Sequence, residues 1–204
     1  RRKMYHVRLI YNTNFTRTKY KDIDVLELWK KFDTVSIGAS LDAEGKRAEL
    51  TRKGTVWDDV VANRKRMLEV CPEVDFYISS TVGLINAWHI TDFHRNWVDK
   101  GFLKPQDFNF NLLQSPFGQR IDLAPMSYKQ KVKDKIEKHI EWLAPLDPLT
   151  RATKGFQSGI DYMMRRDNHE HIDQFKSSMK RLDDIRDENM LETFPELKEL
   201  YEED

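Results

Sequence analysis

The chain has 204 residues, 39% hydrophobic and 33% charged, with a net charge of zero. That length buries a sizeable core in one domain or one and a fraction, and 11 Phe, 7 Tyr and 5 Trp argue against disorder. No apolar run approaches a membrane span, no apolar segment follows the basic start, and the single Cys71 excludes an internal disulfide and any cluster needing three thiolates from these residues.

The first half alternates strands and helices. Tyr5–Asn12 reads as a strand running into the polar turn Asn12-Thr13-Asn14. Val25–Phe32 carries Val25, Leu26, Leu28, Trp29 and Phe32 near helical spacing, and Thr34–Leu41 reads as a buried strand. Trp57–Cys71 is the clearest helix, with Trp57, Val60, Val61, Met67, Leu68 and Cys71 on one stripe and Pro72 as its stop. Val74–Val82 is a third strand, Ala87–Lys100 a helix closed by Gly101, and Asp107–Leu113 a fourth strand. This alternation predicts βαβ units and a mainly parallel sheet.

Pro116–Pro125 is a break in composition, after which Lys129–Leu143, Gly155–Arg166, Glu170–Asp187 and Pro195–Tyr201 read as helical. Two parts follow: residues 1–124 as the α/β part, and residues 125–204 as a helical extension packed on it. Residues 1–120 hold 20 Lys and Arg against 15 Asp and Glu, whereas residues 121–204 hold 14 against 19. Residues 1–21 carry seven basic residues and no acid. The cysteine usage fits a reducing, cytoplasmic setting.

Sites in parallel α/β sheets form at the carboxyl ends of the strands. Here those ends carry Asn12 and Asn14, then Ser40 and Asp42, then Ser79, Ser80, Thr81 and Asn86, then Asn109 and Asn111. Such a rim supplies donors and acceptors to a polar, ribose-like or amino-acid-like ligand; ordinary capping by Asn, Ser and Asp is the competing explanation. Arg52, in the loop Ala43–Gly54, can fork onto a carboxylate ligand or pair with Asp42 or Glu49. His169-Glu170-His171 lacks the spacing and the third ligand of a metal site, and His89 and His94 read as structural.

In order and spacing, Ser40-Leu41-Asp42, Arg52-Lys53-Gly54, and Trp57-Asp58 with Asn63-Arg64 resemble the middle of a radical SAM protein. Tyr11-Asn12-Thr13-Asn14 is similar to that family's "TNG"-like strand end. The closest likeness is to twitch-domain radical SAM proteins of phage and environmental sequences, over residues 5–125. The resemblance implies a partial (β/α) barrel that binds S-adenosylmethionine (SAM) at its strand ends. Asn12 and Asn14 would line the SAM or substrate side, Ser40 would contact the SAM ribose or amino-acid group beside Asp42, and Arg52 would reach the SAM carboxylate. Ser80 and Thr81 would face the interior, with Asn109 and Asn111 on the substrate rim.

The family's CxxxCxxC loop and Gly-Gly-Glu motif are not in this sequence. The expectation is therefore the C-terminal portion of such an enzyme, inactive alone: no cofactor in this chain, with SAM and a [4Fe–4S] cluster belonging to an intact parent. The alternative is a free-standing α/β binding module that meets phosphate or nucleic acid through residues 1–21. Under the first reading neither nucleic acid nor membrane is a partner. The exposed edge of the first strand is a candidate homodimer contact.

Overall fold

β1 (Arg8–Thr13) starts the computed structural model's main sheet; the structure describes residues 5–202. Arg1–Lys3 of the basic opening, and the end of the acidic tail, lie outside those residues. A short hairpin of β2 (Lys19–Tyr20) and β3 (Ile23–Asp24) follows, then α1 (Val25–Trp29), whose first turn is capped by Asp24 accepting from Leu26 N–H at 3.1 Å. Then come β4 (Thr34–Ala39), α2 (Gly45–Thr51), α3 (Trp57–Val70), β5 (Asp75–Val82), α4 (Ile90–Asp99) and β6 (Phe108–Leu112). Two short 3₁₀ turns lead into α5 (Met126–Leu143), α6 (Arg151–Arg165), α7 (Ile172–Arg186), α8 (Met190–Thr193) and α9 (Glu199–Glu202). Among the described residues no helix is long and apolar enough to cross a membrane.

The main sheet is wholly parallel, in the order β1-β4-β5-β6. Sequence reading anticipates all four of these strands and the longer helices. It takes Ala43–Gly54 for a loop, whereas this stretch holds α2, built on the helix-forming run Lys46-Arg47-Ala48-Glu49-Leu50. Glu49 then accepts from the Trp57 N–H at 2.9 Å and caps α3. The β2–β3 hairpin and α8 are also additions, each too short to leave a periodic signal.

Alternation along the strands decides the layering. Val35, Ile37 and Ala39 of β4, Phe76, Ile78 and Val82 of β5, and Phe108 of β6 are buried on one face. Helices cover that face: Tyr11 meets Trp29 of α1, Phe76 stacks on Trp97 of α4, and Phe93 of α4 meets Phe108. One apolar core continues from there into α5, α6, α7 and the last turns. The opposite face carries Arg8, Ile10, Asn12, Asp75, Asn109 and Asn111, all exposed, and half-buried Tyr77, Ser79 and Thr81. An antiparallel sheet commonly leaves one face solvated, but a parallel sheet rarely does.

The helical extension seats on β6 through two glycines. A Cβ at Gly159 would lie 2.7 Å from the Phe110 ring, and one at Gly155 would lie 3.2 Å from Phe110 Cβ. Gly159→Ala is expected to cost about 1–3 kcal/mol through overpacking. A calorimetric melt checks this; an unchanged midpoint would mean that α6 does not sit on Phe110 as described.

Candidate functional site

Asp42 ties the ends of two strands together. Its Oδ1 accepts from Thr81 N–H and its Oδ2 from Arg52 Nε–H, each at 2.7 Å. Its backbone carbonyl accepts from Asn86 Nδ2 at 2.8 Å, and the same nitrogen reaches the Thr81 carbonyl at 3.0 Å. Asn86 Oδ1 in turn accepts from Gly83 N–H at 2.9 Å. Of the two partners open to Arg52 in the sequence, Asp42 and Glu49, the structure selects Asp42. The guanidinium Nη atoms have no partner among the described residues.

Beside this knot lies a cleft of about 350 Å³. Asp42, Thr81 and Asn86 line one side, and Met179, Leu182 and Arg186 of α7 the other. The C-terminal segment is fastened across it onto α2 and the turn after it. Arg47 forks onto Glu196, Lys53 pairs with Glu188, and Arg186 Nη1 donates to the Leu50 carbonyl at 3.1 Å.

The rim residues named from the sequence separate into groups. Asn12, Thr81, Asn109 and Asn111 share the open face, because register sets Thr81 level with Asn111 and period-two alternation does the rest. Asn111 Nδ2 donates to Ser79 Oγ at 3.2 Å and to the Ser80 carbonyl at 3.1 Å. Asn14 lies beyond the end of β1, where it accepts from Thr16 Oγ1 at 3.1 Å and shapes the turn. Ser40 follows β4 directly, and its N–H donates to the Thr13 carbonyl at 2.7 Å.

Ser80 corrects the sequence reading. As the neighbour of Thr81 it points the opposite way, into the helix-covered core; it is fully buried and its Oγ has no partner there. Ser80 and Thr81 therefore do not face one interior together. Tyr77 also belongs to the open face and is not among the residues the sequence singles out; two residues before Ser79 and four before Thr81, its alternation is the signal that finds it.

Three buried histidines and the buried cysteine belong to the framework. His94 Nε2 lies 2.9 Å from the Pro105 carbonyl, and its Nδ1 lies 2.9 Å from His139 Nε2. Burial lowers His94 to about 4 and His139 to about 3. His89, also buried, is brought down to about 4 by desolvation and then by the Arg47 charge. Cys71 follows α3 at the amino-terminal edge of the sheet, away from the strand ends, and burial lifts its thiol to about 11. His169, Glu170 and His171 form an exposed turn, and among the described residues no three His, Cys, Asp or Glu side chains gather as metal ligands.

These residues do not fit an iron–sulfur cluster: the only thiol is buried, protonated at neutral pH and at the wrong end of the sheet. They leave room for a small polar molecule at the strand ends, where Asp42 aims Arg52 and the Nη atoms could fork onto an anionic group. Comparison with protein-family models, with curated proteins and with solved structures gave no match.

Proposed function

We propose that this chain forms part of a partial (β/α) barrel of the radical SAM type, and that it contributes the SAM and substrate rim while the cluster is held by residues outside it. The observation that carries the reading is the one-sided parallel sheet. Its strands run in sequence order, helices cover one face, and the other face is lined with amides and hydroxyls that end at the Asp42–Arg52 knot. In a barrel, that polar face is the interior.

When bound, SAM supplies a sulfonium whose carbon–sulfur bond is the one such enzymes break. Arg52 would hold the carboxylate of the ligand, and Ser40 would meet its ribose or amino-acid group. Asp42 acts one step back, as a positioning residue that fixes Arg52 and the Thr81 amide. Thr81, Asn12, Asn109 and Asn111 would orient what lies beside it. The edge of β1 pairs with no strand on its outer side among the described residues, and an adjoining strand of the barrel would satisfy it.

The alternative, a free-standing module, draws on the same edge. It would pair β1 with β1 of a second copy, and its exposed Arg8, Arg17, Lys19 and Lys21 would face phosphates. Amide spectra of the labelled chain titrated with SAM separate the two. Shifts at Ser40, Asp42, Arg52 and Thr81 are expected, with a Kd of about 1 mM or weaker, near −4 kcal/mol, because the anchoring cluster is not in this chain. Silence at those amides at about 10 mM ligand, or a micromolar Kd, overturns the proposal. Anaerobic iron reconstitution of this chain is expected to leave no stoichiometric cluster.

A further inference from the structure

Gly38 sits in the middle of the open face, level with Asn12 of β1 on one side and Tyr77 of β5 on the other. A Cβ built there would lie 2.7 Å from Tyr77 Cζ, 2.8 Å from Cε2 and 2.2 Å from Asn12 Oδ1. The tyrosine therefore does not stand out from its strand. It leans across β4 over the missing side chain, and its hydroxyl reaches Asn12 Oδ1 at 3.3 Å on the strand beyond. The ring rests on Gly38, and the residue keeps part of its surface exposed.

The surroundings define what such a ring could carry. Asn12 Nδ2, the whole Asn109 amide and Asn111 Oδ1 have no partner among the described residues, so donors and acceptors both stand beside the ring. Ser79 and Thr81 add hydroxyls. Charge stands at the two margins of the face: at the amino-terminal one Arg8, at the start of β1, and Asp75, whose carboxylate accepts from Ser36 Oγ at 2.9 Å, and at the carboxyl-terminal one the Asp42–Arg52 pair. Between those margins the strands present no Lys or Arg on this face among the described residues.

We propose that this face holds a neutral sugar ring, with its C–H side stacked on Tyr77 and its hydroxyls taken by Asn12, Asn109 and Asn111. Aromatic faces accept flat apolar surfaces, and side-chain amides pair with hydroxyls as both donor and acceptor. A nucleotide lying on Tyr77 would find cations only at the margins of the face, Arg8 and Arg52, and an aliphatic ligand would strip the amides of water with no return. The inference shares Asn12, Asn109 and Asn111 with the proposed function but rests on Tyr77 and Gly38, and it stands whether or not Ser40 and Arg52 take SAM.

The probe is methyl β-D-glucopyranoside, titrated into the labelled chain, with adenosine in parallel. The sugar is expected to shift the amides of Asn12, Tyr77, Ser79, Asn109 and Asn111. Tyr77→Ala should weaken binding about five- to tenfold, the worth of one aromatic contact, and Tyr77→Phe should change it little. Gly38→Ala, which lifts the ring without removing it, should weaken binding as Tyr77→Ala does while the protein still melts cooperatively. No shift on this face at about 50 mM sugar, equal binding by Tyr77→Ala, or adenosine shifting the face where the sugar does not, each overturns the proposal.

Discussion

Acid should unfold this protein through its histidines, well above the pH at which carboxylates take up protons. The Pro105 carbonyl can only accept, so His94 Nε2 carries the proton and His94 Nδ1 must accept from His139 Nε2–H. His94 is thus neutral in the folded state, since a second proton on it would set N–H against N–H, and burial keeps His139 neutral as well. Their folded values, about 4 and about 3, lie below the unfolded value of about 6.5. The unfolded chain therefore binds more protons, and stability is complete above pH ~6.5 and falls as pH drops toward the folded values. Between pH 7 and about 4.5 the pair should remove on the order of several kcal/mol, a large share of a domain's stability. Chemical denaturation at several pH values checks this. His139→Gln, which keeps a donor for His94 but cannot titrate, should make the dependence shallower by about one proton. An unchanged slope in that variant would show that the histidine pair is not the cause.

Asp42→Ala should cost about 3 kcal/mol, because it removes two charge-assisted hydrogen bonds and leaves the Thr81 N–H, at the end of β5, without its acceptor. For a chain of this length that is a fall in melting midpoint of roughly 6–12 °C. Asp42→Asn, which can keep an oxygen on Thr81, should lose about half as much. Arg52→Ala should cost about 1 kcal/mol or less, since its side chain is 36% exposed and water replaces the carboxylate's partner. Equal losses from Asp42→Ala and Arg52→Ala would mean that the ion pair, and not the tie between strand ends, carries the energy. Under the proposed function, both variants should also erase the SAM-induced shifts at Ser40 and Thr81.

The strands were legible because burial on one face imposes a period of two on Phe76, Ile78 and Val82, and the longer helices because Trp57, Val60 and Met67 repeat at three and four. The same arithmetic would have separated Ser80 from Thr81, but a run of three small polar residues conceals which of them turns inward. Asp42 and Arg52 could be named from the sequence, with Asp42 and Glu49 both open as partners; the choice of Asp42 could not, because it depends on α2, which lies between them and brings the arginine back to the strand end. The role of Gly38 depends on the ring of Tyr77, 39 residues away, and no local pattern announces such a contact. The His94–His139 pair is similarly non-local, joining α4 to α5 across 45 positions.

A core built on one side of a sheet divides the strand positions into two populations. Leu9, Ile37, Phe76 and Phe108 answer to packing, and changes there are felt as cavities or clashes. Asn12, Tyr77, Asn109 and Asn111, interleaved with them in the same strands, answer mainly to water or to a ligand. Substitutions at every second residue can therefore accumulate at small thermodynamic cost. Selection can retune recognition on this surface while the framework beneath stays fixed, and a library confined to those alternate positions would sample new specificities from a population that still folds.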